Sequence, residues 1–382
     1  MTIRLPRHFL VGAATSAHQI EGGNSRNDCW HAEHAEDSIF VEASGAACGS
    51  WDRWQEDIEL VAQLELDAYR FSLEWSRIMP APTEVDEAAI HHYRRIVDAC
   101  LSAGVQPVVT LHHFTSPLWL AERGGWASPE AVDHFVRFVE TALPVLDGVD
   151  VVFTINEPTI LVEWSHLLTV PLGAGPDPRV RDHLLDAHRR AAAVLRDDRP
   201  GRQVGLTLAL HDWEVLPGGE QIAARMQDQE EDWWLRAVVG DDVVGVQTYT
   251  CKVVGPRGVQ PPAPDEATTL TGWRLRPRAV AATARRAARV SGLPVVVTEN
   301  GVATADDDLR WAYIVEALEA VSDLVAEGVD VRGWFYWSLL DNFEWLLGFA
   351  PTFGLVEVDR STLERRVRPS AERLAELLRS RT

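Results

Sequence analysis

Eight short apolar segments of strand length recur along the chain, and helical patterns separate them. The segments are residues 8–16, 67–75, 105–113, 149–157, 202–211, 242–250, 293–300 and 331–340. They are rich in Val, Leu and aromatic residues, and their apolar runs are continuous rather than alternating. This is typical of parallel strands that are buried on both faces.

The helical patterns carry apolar residues on one face. They cover residues 52–65, 87–104, 129–146, 182–198, 276–292 and 307–328. Strands that alternate with helices in this number predict an α/β fold, the (β/α)8 or TIM barrel. A doubly wound sheet is the alternative, but residues 12–23 lack the G-x-G-x-x-G turn that it favours. The best linker candidate, 255–269, is too short to separate two domains, so residues 1–382 are expected to form a single domain.

The charge of the chain disfavours several kinds of partner. The formal net charge is −21, and such a surface repels the phosphates of nucleic acids and of anionic membranes. A neutral small molecule suits it better as a substrate. Lys252 is the single lysine, and it follows Cys251 rather than a glycine-rich loop, so neither a P-loop nor a Schiff-base lysine is supported.

The four cysteines are scattered and form no C-x-x-C pair. Free thiols in a reducing compartment fit this use best, with a Cys29–Cys48 disulfide as the less favoured alternative. No leader segment or membrane span is recognisable, so a cytoplasmic protein is expected. We predict no cofactor and no metal, and the oligomeric state stays open.

Polar and aromatic residues follow the apolar part of every predicted strand. In a (β/α)8 barrel the carboxyl ends of the strands meet at one rim, where active sites lie. In chain order the residues are His18 and Gln19, Arg70 and Glu74, His112 and His113, Asn156 and Glu157, His211, Gln247 and Tyr249, Glu299 and Asn300, and Trp337, with Asp341, Glu344 and Trp345 just beyond. One such group is usually structural, whereas convergence from eight strands predicts a site.

Two carboxylates, Glu157 and Glu299, directly follow the fourth and seventh apolar segments. A pair of carboxylates that flanks one bond is what glycoside hydrolysis needs, with one group protonated and the other ionised. Arg70 on a neighbouring strand would keep one of them charged. A metal-dependent hydrolase built on His112, His113 and His211 is a less favoured alternative, because adjacent strand residues point to opposite faces.

Tryptophan faces would pack against a sugar ring, and the chain has 15 tryptophans. We expect several of them near the rim, namely Trp75, Trp119, Trp126, Trp164, Trp213, Trp337 and Trp345.

Several motifs together resemble the β-glycosidases of glycoside hydrolase family 1. They are FLVGAATSAHQIEGG (9–23), TLHHFTSPLWL (110–120), FTINEP (153–158), VVVTENG (295–301) and YWSLLDNFEW (336–345), and the resemblance runs almost end to end. It implies a retaining β-glycosidase, acting on glucosides, fucosides or galactosides through a covalent glycosyl-enzyme, with a role in carbohydrate metabolism. Two alternatives remain: a transglycosidase with the same residues, and an inactive sugar binder, which would typically have lost a carboxylate.

The resemblance also implies roles for individual residues. Glu157 would be the general acid and base, Glu299 the nucleophile, and Asn156 a partner of the sugar 2-hydroxyl, while Tyr249 and Arg70 would tune Glu299. The sugar would be bound by Gln19, His113, Gln247, Trp337, Glu344, Trp345 and Phe353.

The chain departs from the family pattern at three places. Gln247 stands where the family has asparagine, Phe114 replaces a frequent tryptophan, and the segment after Pro158 is short. Pro158 itself is expected to end the fourth strand and to lead into a loop. Loops there form the aglycone site in the family, so the aglycone is the least predictable feature.

Overall fold

The strands close into the predicted barrel. The computed structural model describes residues 5–6, 8–168 and 178–380, without the side chains of 164–168 and 178. We number the barrel strands β1 Leu10–Ala14, β2 Ala68–Ser72, β3 Gln106–His112, β4 Val151–Asn156, β5 Gln203–Ala209, β6 Val244–Gln247, β7 Val295–Asn300 and β8 Val331–Trp337. All neighbours are parallel, and β8 pairs with β1, with Trp337 opposite Ala14. Each strand lies inside its predicted segment.

Helices cover the outside of the barrel. The α-helices are Ala17–Ile20, Asp28–Glu33, Ser50–Gln63, Trp75–Ile78, Glu87–Ser102, Leu118–Ala121, Glu130–Ala142, Pro158–Leu168, Pro178–Asp198, Glu220–Gln227, Trp233–Ala237, Ala279–Ser291, Asp307–Ala326 and Pro369–Arg379. Three 3-10 turns, Gly125–Ala127, Leu143–Leu146 and Trp345–Leu347, and a π-helical turn, Asp228–Asp232, complete the set in the described residues. The predicted helix 129–146 ends early, at Ala142, because Pro144 has no N–H for the next turn.

Short strands outside the barrel shape the rim. Asp212–Val215 pairs with Cys251–Gly255, which also pairs with Gly258–Val259, and Val356–Val358 pairs with Arg365–Val367. The predicted surface loop 255–269 therefore contains one strand of a small sheet. Because this sheet follows β5 and β6 directly, it builds a wall beside the carboxyl ends of these two strands.

The barrel interior is filled below its rim. Phe153 and Phe335 point inward and are fully buried among Ala68 and Val108. Gly12 makes room for Phe335, since a Cβ there would lie 2.4 Å from the Ala68 carbonyl oxygen and 2.7 Å from the Phe335 ring. Burial of such aromatic side chains stabilises the fold by about 1.5–3 kcal/mol each. The packed interior leaves the carboxyl ends of the strands as the place for a cavity.

All four cysteines are buried and free, so the alternative Cys29–Cys48 disulfide is not formed. Within the described part of the chain, no helix has the length and apolar character needed to cross a membrane.

Candidate active site

A cavity of about 340 Å³ opens at the carboxyl ends of the barrel strands. Nine of the twelve predicted site residues line it: Gln19, His113, Glu157, Tyr249, Glu299, Trp337, Glu344, Trp345 and Phe353. The other three, Arg70, Asn156 and Gln247, are buried and contact each other or Glu299. The structure therefore brings all twelve together.

Glu299, at the end of β7, receives three hydrogen bonds. The Arg70 guanidinium donates to Oε1 at 2.5 Å, the Gln247 amide donates to the same oxygen at 2.7 Å, and the Tyr249 hydroxyl donates to Oε2 at 2.5 Å. Burial raises the pKa of Glu299, and the Arg70 charge and the Tyr249 hydroxyl oppose that rise. Because all three donors favour an ionised acceptor, Glu299 is the carboxylate of the pair that ionises first.

Asn156, at the end of β4, is held in one orientation. Its Oδ1 accepts from Arg70 at 2.7 Å, from the Thr207 hydroxyl at 2.8 Å and from Gln247 at 2.8 Å. The Asn156 Nδ2 must then be a donor, and it lies 3.2 Å from Nε2 of His113. His113 is kept neutral, because burial and the Arg70 charge lower its pKa well below the usual range. Nδ1 of His113 therefore carries the proton, and it is buried without a hydrogen-bond partner among the described residues.

Gln247 lies deeper than a sugar-binding role alone suggests. It is 1% exposed, its amide nitrogen contacts Asn156 and Glu299, and it does not line the cavity with the carboxylates. One amide nitrogen of Gln247 thus donates to both partners. In this structure Gln247 acts on the two residues beside the reacting centre.

Glu157 differs from Glu299 in its surroundings. Burial raises the pKa of Glu157 well above its usual range, the Glu299 charge raises it further, and Arg70 opposes both. Among the described residues no cation lies within ion-pair distance of the Glu157 carboxylate. The surroundings therefore raise the pKa of Glu157 more strongly than that of Glu299, and this separation suits a proton donor beside an ionised carboxylate.

The backbone at the cavity is strained at three residues that line it. Phe114, Glu157 and Trp345 adopt positive φ angles of 68°, 42° and 52°. Such angles cost about 1–3 kcal/mol in non-glycine residues and concentrate at functional sites. At Glu157 the chain turns into the helix that begins at Pro158. A proline is tolerated at the first position of a helix because the N–H of that residue has no partner within the helix. The expectation that Pro158 leads into a loop is thus wrong.

Aromatic rings form the opposite wall. The imidazole of His113 lies nearly parallel to Trp337 and to Trp345, with ring centroids 6.0 Å and 6.2 Å away. Trp345 also stacks on His18, with ring centroids 5.7 Å apart, and His18 is bonded to Glu33. The cavity therefore has flat apolar ring faces next to polar side chains that can donate or accept hydrogen bonds.

Glu344 lies beside these rings. Burial raises the pKa of Glu344 to about 8, with the Glu299 charge adding to the rise and the Trp337 N–H, 3.1 Å away, opposing it. Glu344 is therefore mainly protonated at neutral pH in the free protein.

We expect Glu344→Gln to stabilise the fold increasingly as the pH rises. A glutamate ionises near 4.5 when unfolded and near 8 here, so the folded state keeps a proton across that interval that the unfolded state loses. The free energy of unfolding of the original protein therefore falls as the pH rises across that interval, by up to about 1.4 kcal/mol per pH unit. Glutamine does not titrate, so the variant does not show this fall. Urea unfolding at pH 5, 6.5 and 8 measures it. Glu372→Gln, at an exposed position of a helix, is the control. If the free energy of unfolding depends on pH in the same way in Glu344→Gln and in the original protein, the prediction is wrong.

The prediction that seven tryptophans cluster near the rim is wrong for three of them, Trp75, Trp119 and Trp126, whereas Trp337 and Trp345 line the cavity. Trp75 is 1% exposed and packs with Trp119, Trp126 and Phe138 between barrel and helices. Trp213 donates to Glu231, and the side chain of Trp164 lies outside the described residues. Tryptophans that follow strands serve helix packing as well as the cavity.

Residues that the sequence did not single out complete the cavity. They are Ile160, Ala209, Thr271, Trp273, Leu346 and Leu347; Phe114 and His211, which are named from the sequence, line it as well. Trp273 is 39% exposed and lies 5.4 Å from the Tyr249 ring, between centroids. Trp273 belongs to a loop whose sequence has no hydrophobic periodicity, so its position at the cavity could not be predicted from the sequence.

The histidines proposed for the alternative metal site do not converge. His112 bonds Ser116 and packs against Trp126 outside the barrel, whereas His113 faces the cavity and His211 bonds Glu231.

A different cluster, His18, Cys29 and Glu33, is close enough to hold a metal. However, Asn27 Oδ1 accepts from the Trp30 N–H, so its Nδ2 donates to His18 Nδ1. His18 Nε2 then carries the proton and donates to Glu33 at 2.7 Å, so the nitrogen that faces the cluster is not free for a metal. These residues do not fit a metal site.

Comparisons with known proteins agree with this geometry. A family model described as glycosyl hydrolase family 1 matches residues 1–267 and 259–382. The β-glucosidase of Agrobacterium sp. (strain ATCC 21400) is 30% identical over 97% of this chain and 95% of its own length. A bifunctional β-D-glucosidase/β-D-fucosidase of Bifidobacterium breve is 30% identical over 96% of each chain.

Solved structures are also similar. A β-glycosidase from Pyrococcus horikoshii is 36% identical with a TM-score of 0.92, over 100% of this chain and 96% of that one. A β-glucosidase from Thermotoga maritima in complex with glucoimidazole is 27% identical with a TM-score of 0.90, over 99% of each chain.

Proposed function

The chain belongs to glycosyl hydrolase family 1 and is a retaining β-glycosidase that hydrolyses β-glucosides, and on this premise we propose that Glu299 is the nucleophile and Glu157 the general acid and base. One contrast supports this assignment. Glu299 is held by Arg70 and Tyr249 in a way that favours its charge, whereas the surroundings of Glu157 favour its protonated form.

In the first step, a Glu299 oxygen attacks the anomeric carbon of the bound glucoside. The bond from that carbon to the leaving-group oxygen breaks, and Glu157 gives its proton to that oxygen. The products are a free alcohol or phenol, a glucosyl ester on Glu299 and an ionised Glu157. The Arg70 charge, next to Glu299, is well placed to stabilise the departing carboxylate in the second step.

In the second step, ionised Glu157 takes a proton from water, and the water oxygen attacks the same carbon. The ester bond breaks, Glu299 is released as a carboxylate, and Glu157 is protonated again. Two inversions at one carbon give a β-configured product.

Groups beside the carboxylates would bind the sugar hydroxyls. Asn156 Nδ2 and the unpartnered Nδ1 of His113 are donors, fixed by their other contacts. Protonated Glu344 can donate to a hydroxyl, and Trp337 offers a flat face to the ring. A β-glucoside presents vicinal hydroxyls on its edge and C–H groups on its face, which match these walls.

The nucleophile can be identified by trapping. An activated 2-deoxy-2-fluoro-β-glucoside slows both steps because fluorine disfavours positive charge on the sugar, while a good leaving group keeps the first step fast enough. We expect the intact protein to gain one sugar mass, on a peptide that contains Glu299. A label on a peptide with Glu157 would overturn the assignment.

Tyr249→Phe is expected to move the acid limb of kcat/KM to higher pH. The hydroxyl donates to the charged form of Glu299 at 2.5 Å and lowers its pKa, so its loss raises the pKa and delays ionisation. A fall in kcat/KM of about 10-fold at neutral pH should follow. The pH profile of aryl β-glucoside hydrolysis measures both effects.

Tyr69→Phe is the matched control, because it removes a buried tyrosine hydroxyl that bonds Thr15 instead. If Tyr249→Phe and Tyr69→Phe have the same acid limb as the original protein, Tyr249 does not tune Glu299.

We also propose the domain organisation, further substrates and location of the protein. Residues 1–382 form one catalytic domain, and β-fucosides and β-galactosides are further substrates. The Bifidobacterium relative named as a β-D-fucosidase supports the first of these two sugars. A cytoplasmic location fits the four free thiols, and a role in carbohydrate metabolism fits the relatives named as β-glucosidases. An inactive binder is not favoured because both carboxylates are present, and a transglycosidase is not favoured because the relatives are named for glycosidase activity.

A further inference from the structure

Four aromatic rings at the site lie nearly parallel, and the last of them belongs to a buried histidine behind the cavity wall. The rings of Trp337, His113, Trp345 and His18 follow one another at centroid distances of 6.0, 6.2 and 5.7 Å, with angles of 18°, 11° and 13° between their planes. The first three residues line the cavity, whereas His18, which is 1% exposed, is not among the described residues that do so. The ring contact with Trp345 is therefore the route by which the His18 side chain can act on a bound sugar.

The plane of the His18 ring is fixed by hydrogen bonds at both nitrogens. Nδ1 accepts from the Asn27 amide at 2.9 Å, and the Nε2–H donates to Glu33 at 2.7 Å. The side chains of His18 and Glu33 are fully buried, so a rotation of the imidazole would leave polar groups unpaired away from water. The imidazole therefore keeps one orientation.

Glu33 and Asn27 are held in turn by partners of their own. Oε2 of Glu33 accepts from the backbone N–H of Ser44 at 2.8 Å and from its hydroxyl at 2.7 Å. Oδ1 of Asn27 accepts from the Trp30 N–H at 2.8 Å, which fixes the direction of the amide. The orientation of His18 thus depends on the helix Asp28–Glu33 and on the segment that carries Ser44.

Trp345 depends on neighbouring rings because it lies outside the barrel strands. It begins the 3-10 turn Trp345–Leu347 and has a positive φ of 52°, a conformation that persists only where the surroundings favour it. Besides His18, the ring of Phe114 contacts the Trp345 ring edge-on, with centroids 5.1 Å apart. Without such neighbours, other rotamers of the tryptophan would be accessible.

An apolar ring would fill the space of His18 with less loss of hydration. Burial removes the imidazole and the Glu33 carboxylate from water, and the hydrogen bond between them roughly offsets that loss. The pair therefore adds little to the stability of the fold compared with an apolar ring. It does add a defined ring orientation, because hydrogen bonds are directional and apolar contacts are not.

We propose that His18 is a positioning residue for sugar binding, because its fixed ring sets the plane of Trp345 as a wall for the glucosyl ring. The inference rests on the proposed function, in which the glucosyl group lies beside Trp345. A loosened Trp345 weakens sugar binding in the ground state and in the transition state alike. Its loss of order should therefore raise KM and change kcat little.

His18→Phe tests this inference, since it keeps a ring against Trp345 and removes both hydrogen bonds. With phenyl β-glucoside we expect KM to rise by about 10-fold and kcat to stay within about threefold. In a Trp345→Ala background the wall is absent. There His18→Phe should change kcat/KM by less than about twofold, because a residue that acts through Trp345 has nothing left to position.

His188→Phe is the matched control. His188 is also 1% exposed, and its ring nitrogens lie 2.7 Å from the Thr154 hydroxyl and 2.9 Å from Asp241. It is not among the described residues that line the cavity, so its variant should lose thermal stability as His18→Phe does and keep the original KM. The inference is overturned by an unchanged KM in His18→Phe, by an equal rise of KM in both variants, or by the same effect of His18→Phe on kcat/KM with and without Trp345.

Ser44→Ala serves if His18→Phe does not fold. It removes one hydrogen bond to Glu33 and leaves the imidazole in place, so KM should rise by about threefold with kcat unchanged. An unchanged KM in Ser44→Ala would then overturn the inference. Failure of the proposed function looks different: Glu299→Ala and Glu157→Gln would still hydrolyse phenyl β-glucoside at the original rate.

Discussion

Glu299→Ala is expected to lower kcat for phenyl β-glucoside by about four orders of magnitude or more. Without the carboxylate no glycosyl-enzyme can form, and the positive charge that develops on the sugar loses its nearest anion. The Arg70 guanidinium would then be buried without its 2.5 Å partner, which adds to the repulsion of that charge. Steady-state release of phenol, with stopped assays over days for the variant, gives the ratio.

Azide separates a lost nucleophile from a misfolded protein. The truncated side chain leaves space beside Arg70, and an azide ion there can attack the sugar of an activated aryl β-glucoside. Attack from that face inverts the anomeric carbon, so the product should be an α-glucosyl azide, which NMR identifies. Glu372→Gln, at an exposed position, should keep the original rate. Activity of Glu299→Ala near that of the original protein, without azide, would refute the role of Glu299.

Glu157→Gln is expected to have an effect that depends on the leaving group. For phenyl β-glucoside, whose oxygen needs a proton, kcat/KM should fall by about three orders of magnitude. For 2,4-dinitrophenyl β-glucoside, whose phenolate leaves unaided, kcat/KM should stay within about 10-fold. The kcat of the variant on 2,4-dinitrophenyl β-glucoside should nevertheless fall, because Glu157 also serves as the base for water in the second step.

The pH profile of the same variant gives an independent check. Since burial and Glu299 raise the pKa of Glu157, its deprotonation sets the basic limb of kcat/KM for phenyl β-glucoside in the original protein. Glutamine does not titrate, so that limb should be absent from the variant. A preserved limb, or equal losses on both substrates, would assign the acid role to another residue. Glu372→Gln again serves as the control.

The barrel and its two carboxylates could be predicted because both follow from regular patterns. Continuous apolar segments report strands buried on two faces, and the ends of parallel strands share one rim. Glu157 and Glu299 directly follow such segments, so their placement needed no knowledge of loops.

Other features depend on contacts that no local pattern encodes. Trp273 belongs to an irregular loop that returns to Tyr249, and Arg274 of the same loop donates to the carbonyl of Pro261. The same holds for Trp75, whose ring packs outside the barrel although it follows β2. The hydrogen bond from Gln247 to Glu299 could not be predicted either. It joins side chains of two neighbouring strands, which come together only when the barrel closes.

The hydrogen-bond network beneath the carboxylates has a consequence for how such a chain could arise and assemble. Successive members come from neighbouring strands, namely Arg70 on β2, Thr110 on β3, Asn156 on β4, Thr207 on β5, Gln247 on β6 and Glu299 on β7. No fragment of four consecutive strands from β1 to β8 contains both the guanidinium and the nucleophile. A half-barrel of four consecutive strands therefore lacks either Arg70 or Glu299, and in a refolding chain catalysis should return only once β2 to β7 are in place.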